Sequence, residues 1–130
     1  MALVAAAGEF HAIGGRLGPS SDKTDQHDVY DSTTNTWAPG PPLPTARSGL
    51  AYTFHEGLIL VLGGELPPNT FSENEAFDPK SASWRTLTPM PGGRHGTAAA
   101  ATGGRVFLAA GSLKPGSGQV TDQLIVFSLP

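Results

Sequence analysis

The stretch PTARSGLAYTFHEGLILVLGG at residues 44–64 reads as two short strands joined at Glu56 and Gly57, the second wholly apolar and closed by Gly63 and Gly64. Nearly the same plan returns as PGGRHGTAAAATGGRVFLAAG at residues 91–111. Shifting the chain by 47 residues places Tyr30 on Phe77, Asp31 on Asp78, Trp37 on Trp84, Pro42 on Pro89, Pro44 on Pro91, Arg47 on Arg94 and Gly49 on Gly96. Upstream, AGEFHAIGG, HEGLILVLGG and TGGRVFLAAG align through Gly8, Gly57 and Gly104 and again through Gly15, Gly64 and Gly111. The chain is therefore a repeat, with a unit of about 47 to 49 residues written three times.

Each unit predicts four short antiparallel strands, here called a to d. In the second unit they are SGLAYTF, LILVLGG, ENEAFD and SWRTLT. Gly8, Gly57 and Gly104 supply positive φ at the a–b turns, Asp31 and Asp78 can cap the c–d turns through their carboxylates, and Pro79 fixes its own φ. The continuous apolar b strand predicts burial on both faces, as for a sheet held between two others. Strand a is alanine-rich at residues 98–101 and 5–7, which suits the crowded inner end of a tapered blade.

Composition agrees with this all-β reading and narrows the chemistry. The 130 residues include 17 Gly and 12 Pro, which punctuate short apolar runs, and 15 % charged residues. A net charge of −3 offers no basic surface for nucleic acid. No apolar run reaches the roughly 20 residues that span a bilayer, so no membrane partner is expected and the chain is expected to be soluble. The opening MALVAAAG lacks the basic region of a secretion signal and is too short for one. With no Cys there is neither a disulfide nor a thiolate ligand or nucleophile. The four His, at 11, 27, 55 and 95, show no ligand spacing, so no metal site and no cofactor is expected.

A Gly-Gly pair closing an apolar strand, an aromatic residue some 13 to 16 positions later and a Trp seven beyond that resemble the kelch repeat, each copy of which builds one blade of a β-propeller. IGG, VYDSTTNTW, PLPTARSG, LGGE, EAFDPKSASW and PMPGGRHG all fit. The resemblance implies blades at about residues 1–44, 45–91 and 92–130. The third has AAG for Gly-Gly and ends without a Trp strand, so it lacks its outer strand. Kelch propellers usually have about five to seven blades. The chain thus resembles the second half of a bacterial-type six-bladed propeller, either truncated or a half that self-associates to complete the ring.

The repeats also separate scaffold from site. Trp37, Trp84, Tyr30 and Phe77 recur and are expected to pack between blades. Arg47 and Arg94 recur and are expected to form hydrogen-bonded pairs between blades. The positions that change chemistry are Ser48 and His95, after that Arg, and Arg16, Glu65 and Ser112, after the glycines. In peptide-binding kelch propellers these places ring one mouth of the central channel, so the resemblance makes Arg16, Ser48, Glu65 and His95 the ligand-binding candidates. RLGPSSDKTDQH, ELPPNTFSE and SLKPGSGQVT, which start at Arg16, Glu65 and Ser112, differ in length and composition, as recognition loops do. The function expected is a non-catalytic binding scaffold for a protein, peptide or small ligand. The alternative is a carbohydrate-modifying enzyme, since some bacterial kelch propellers act on sugars, one of them a sialic acid mutarotase. Glu65 would then serve as acid or base, with Arg16 or His95 holding an anion. A copper-radical oxidase is set aside, because its cofactor needs a Cys cross-linked to Tyr.

Overall fold

The computed structural model describes residues 1–18, 24–116 and 118–130. Among these, thirteen strands and no helix are found: β1 (Ala2–Ala6), β2 (Glu9–Ile13), β3 (His27–Asp31), β4 (Thr36–Pro39), β5 (Ala51–His55), β6 (Leu58–Leu62), β7 (Glu65–Leu66), β8 (Asn69–Thr70), β9 (Asn74–Asp78), β10 (Ser83–Leu87), β11 (Ala98–Thr102), β12 (Arg105–Ala109) and β13 (Leu124–Phe127). They form two four-stranded antiparallel sheets, β1-β2-β3-β4 and β5-β6-β9-β10, a three-stranded sheet β11-β12-β13 and the small hairpin β7-β8. The large sheets are each wound a-b-c-d, as the blades of a β-propeller are, and the third sheet carries no fourth strand among the described residues.

Each a–b hairpin turns on two residues at positive φ: Ala7 and Gly8, Glu56 and Gly57, Gly103 and Gly104. Two consecutive left-handed residues match the twist of the strands they join. At the c–d turns the Asp31 carboxylate accepts the Thr33 N–H at 2.7 Å and Asp78 accepts that of Lys80 at 2.9 Å. These backbone donors hold both carboxyls below the usual Asp range.

Cores lie between sheets. Ile59, Val61 and Phe77 of the second sheet pack on Val4, Ala6 and Ile13 of the first. Leu60, Leu62 and Ala76, on the opposite face of the same sheet, pack with Val106 and Leu108 of the third. Strand β6 is thus buried from Ile59 onward on both faces, whereas β12 is buried only at Val106 and Leu108, on the face toward the second sheet.

Two expectations about packing need correction. Trp84 does pack between sheets, its indole N–H donating at 2.9 Å to the carbonyl of Pro41, in the segment that follows β4. Trp37 does not: it is 56 % exposed, on the face of the first sheet turned away from the second, with Tyr30 beside it at a ring separation of 5.1 Å. The recurring arginine, for its part, bonds within a blade. Arg47 donates to the Gly63, Val61 and Thr45 carbonyls and to Glu75, all in the second repeat. The segment before β5 runs beside strand c of its own sheet, so the nearest carboxylate is a partner on β9. Arg94 follows suit with Gln123 and the Ala110 carbonyl.

Candidate functional site

Blades meet at one end through backbone bonds that explain the glycine pairs. The Gly15 N–H donates to the Arg47 carbonyl at 3.0 Å and the Gly64 N–H to the Arg94 carbonyl at 2.8 Å, so the second glycine of one repeat meets the arginine of the next. A Cβ on Gly64 would lie 2.7 Å from the Ser48 carbonyl, and Gly64 has φ +121°. No side chain fits there, whatever its chemistry.

These joints fix the two variable positions against each other. Ser48 and Glu65 exchange N–H to C=O bonds at 3.0 and 2.7 Å, and His95 and Ser112 do the same at 3.0 and 2.9 Å. The residue after the arginine and the residue after the glycines are therefore cross-strand partners, which the spacing in the sequence did not disclose.

The side chains of Arg16 and His95 converge on the Glu65 carboxylate, and Ser48 joins them through Arg16. Arg16, from the first repeat, donates from Nη2 to Oε1 at 2.8 Å and to Ser48 Oγ at 3.2 Å. Oε2 accepts the Gly116 N–H at 3.0 Å, with His95 Nδ1 3.6 Å away. The Lys114 carbonyl can only accept, so His95 donates to it from Nε2 at 2.9 Å. Ser112 Oγ donates to the carbonyls of Lys114 and Gly118. Three repeats thus contribute to one network in which Glu65 is 10 % exposed at its side chain and Arg16 43 %.

Chemically the network is a clamp with one open edge. Both Glu65 oxygens already hold donors, while part of the Arg16 guanidinium faces solvent. The loops that carry Glu65 and Ser112 also bring Pro67, Pro68 and Asn69 at the tip of β7-β8, and Leu113 and Lys114, all exposed. Of the three expected recognition loops, residues 65–73 are fully described, whereas residues 19–23 of the first and 117 of the third lie outside the described residues. Ser48, Glu65 and His95 are buried in this network, and of the four candidates Arg16 is the one left partly open to solvent.

The fold is that of a run of propeller blades, and the site is the blade-to-blade seam at one end of them. The family model of the kelch motif matches residues 46–91, the whole second blade from the arginine seam to the end of strand d. The matched segment is thus a kelch motif, a repeat that serves generally in protein-interaction scaffolds. No curated protein matches it.

Proposed function

We propose that the chain is a non-catalytic recognition scaffold whose binding surface is the rim around Arg16, Leu113, Lys114 and the β7-β8 tip. The observation that carries this reading is the occupancy of Glu65. With Arg16 on one oxygen and the Gly116 N–H on the other, the largely buried carboxylate holds loops of two repeats in place. That arrangement favours binding over the carbohydrate-modifying alternative. Two cationic side chains beside exposed Leu17, Pro67 and Leu113 suit an acidic peptide with aliphatic residues. The test is fluorescence polarisation against a library of such peptides. Binding lost in Lys114→Glu and Leu113→Ser variants that melt like the parent supports the rim. Failure of every peptide, together with sugar anomer interconversion that Glu65→Gln abolishes, overturns it.

We further propose self-association as the way the outer faces are covered. Ile59, Phe77 and Trp84 of the second blade are packed against the first, and their repeat equivalents Phe10, Tyr30 and Trp37 lie on its outward face. The outward face of the third blade carries Leu124 and Val126, 59 % and 41 % exposed. Two copies joined through these faces make a six-bladed ring of twofold symmetry. Sedimentation at micromolar concentration should give a dimer that Trp37→Arg dissociates. A compact monomer with a single cooperative melt overturns the pairing.

A further inference from the structure

Between the first two blades, away from the Glu65 clamp, two histidines are buried side by side. His11 on β2 and His27 on β3 are each 2 % exposed, and His11 Nδ1 lies 2.9 Å from His27 Nε2. His27 Nδ1 is 2.9 Å from the Pro41 carbonyl, the same oxygen that accepts the Trp84 indole N–H. The second blade closes over the pair with Phe77, edge-on to His27 at 4.6 Å, and Trp84 at 5.9 Å.

The chain of acceptors fixes where the protons sit. A carbonyl cannot donate, so His27 carries its proton on Nδ1 and, when neutral, presents a bare Nε2. His11 must then donate from Nδ1, which leaves its own Nε2 bare and without a hydrogen-bond partner among the described residues. The closest charge to that nitrogen is Glu9 Oε2 at 3.9 Å. One added proton can go to His11 Nε2, facing Glu9, without disturbing the pair. A second must go to His27 Nε2. Two N–H groups would then point at each other across 2.9 Å, and two imidazolium rings would lie 5.2 Å apart between Phe77 and Trp84.

We propose that the His11–His27 pair is an acid-sensitive latch, closed while it holds at most one extra proton and opened by the second, which frees the Trp84 side of the joint between the first two blades. The surroundings offer little to offset the second charge. Glu9 and the Ala6 carbonyl act on His11, with Asp31 lining the same cavity, and the Pro41 carbonyl and Asp28 act on His27, all from the first blade, whereas the rings supplied by the second, Phe77 and Trp84, carry no charge. Burial holds both imidazoles below the usual His range, His11 further through the neighbouring His27. The neutral pair is therefore favoured by folding above about pH 6.5, and that preference is lost as the pH falls below it.

The second repeat shows how the same place is built without a titrating group. Its counterpart of His27 is Asn74, which donates from Nδ2 to the Thr88 carbonyl at 2.9 Å, and its counterpart of His11 is Leu60. The test uses that solution. With Trp37→Phe, Trp84 is the sole indole, and its emission is followed from pH 8 to pH 5 below the melting temperature. The latch predicts a red shift with a midpoint below about pH 6.5, absent after His11→Leu with His27→Asn. An unmoved Trp84 in the parent, or an equal shift in the double variant, overturns it. Should the double variant not fold, NMR titration of the parent decides. Two coupled His steps, the lower one coinciding with the Trp84 shift, support the latch, and rings that protonate without it overturn it.

Discussion

Arg47 and Glu75 form an ion pair in which the arginine side chain is fully buried and the carboxylate 4 % exposed, with 2.5 Å between Nη1 and Oε2. Three backbone carbonyls and one carboxylate share the guanidinium, so the pair is also a splice between the segment entering β5 and strand β9. Removing either partner strands a charge inside the blade. Glu75→Gln or Arg47→Met should each cost about 3–5 kcal/mol by urea denaturation. A loss within experimental error of zero would show the pair to be replaceable.

The third repeat repeats the arginine without its acid. Arg94 is buried, yet its partner is the neutral amide of Gln123 at 3.1 Å, and its Nε has no hydrogen-bond partner among the described residues. Gln123→Glu supplies the carboxylate that Glu75 provides one repeat earlier. Because residue 123 is exposed, the gain is modest, about 0.5–1 kcal/mol, and it should shrink in high salt. A destabilised variant would show that the amide N–H is needed where it is.

Two tryptophans at the same repeat position should respond unequally. Trp84→Ala removes an indole packed on Phe77 and bonded to Pro41, and should cost about 3–5 kcal/mol. Trp37→Ala removes an indole that is largely in solvent and should cost under about 1 kcal/mol at concentrations where the chain is monomeric. Thermal melts of the two variants separate these outcomes. A growing Trp37 penalty with protein concentration would report the pairing of outward faces.

Ala110 stands where the first two repeats have the leading glycine of their pair, and it adopts φ 56°. An L-residue is strained there and glycine is not. Ala110→Gly should raise stability by about 0.5–1 kcal/mol, the relief of strain outweighing the extra freedom of the unfolded chain. Denaturant midpoints measure it. A lower midpoint would mean that the methyl packs better than the backbone suffers.

Acid should weaken the fold in two stages. The buried histidines favour the neutral state, so stability falls first as pH drops below about 6.5. Asp31 and Asp78, held low by the N–H groups of Thr33 and Lys80, favour the ionised state, and their contribution is lost only as the pH falls below the usual Asp value toward their lowered ones. Melting temperature against pH should show the first stage vanish in His11→Leu/His27→Asn and the second persist. One unbroken decline in both proteins would argue against the assignment.

Strand order, turn chemistry and the doubly buried β6 were legible because each rests on local pattern: apolar runs, glycine pairs and aspartates at fixed offsets. Arg16, Ser48, Glu65 and His95 stand out in the sequence as varying positions in a repeated frame, and the structure brings them into one network. What escaped was pairwise and distant. Nothing near Glu75 in sequence marks it as the partner of Arg47, so recurrence alone points the arginine at the wrong neighbour. His11 and His27 lie 16 residues apart on adjacent strands, a separation set by a loop and not by a motif. Trp37 carries the same signal as Trp84, and the exposure of the face it sits on is a property of neighbours, which no window of residues contains.

The seams between blades carry a historical consequence. The second repeat brings both a glycine N–H for the repeat after it and an arginine carbonyl for the one before, in the seams Gly64 with Arg94 and Gly15 with Arg47. A tandem gene duplication therefore delivers a new blade with both halves of its joints already encoded, and no compensating change elsewhere is required. Side chains just beyond the seam, at Arg16, Glu65 and Ser112, are then at liberty to diverge, and a lineage can lengthen its propeller and alter its rim by separate steps.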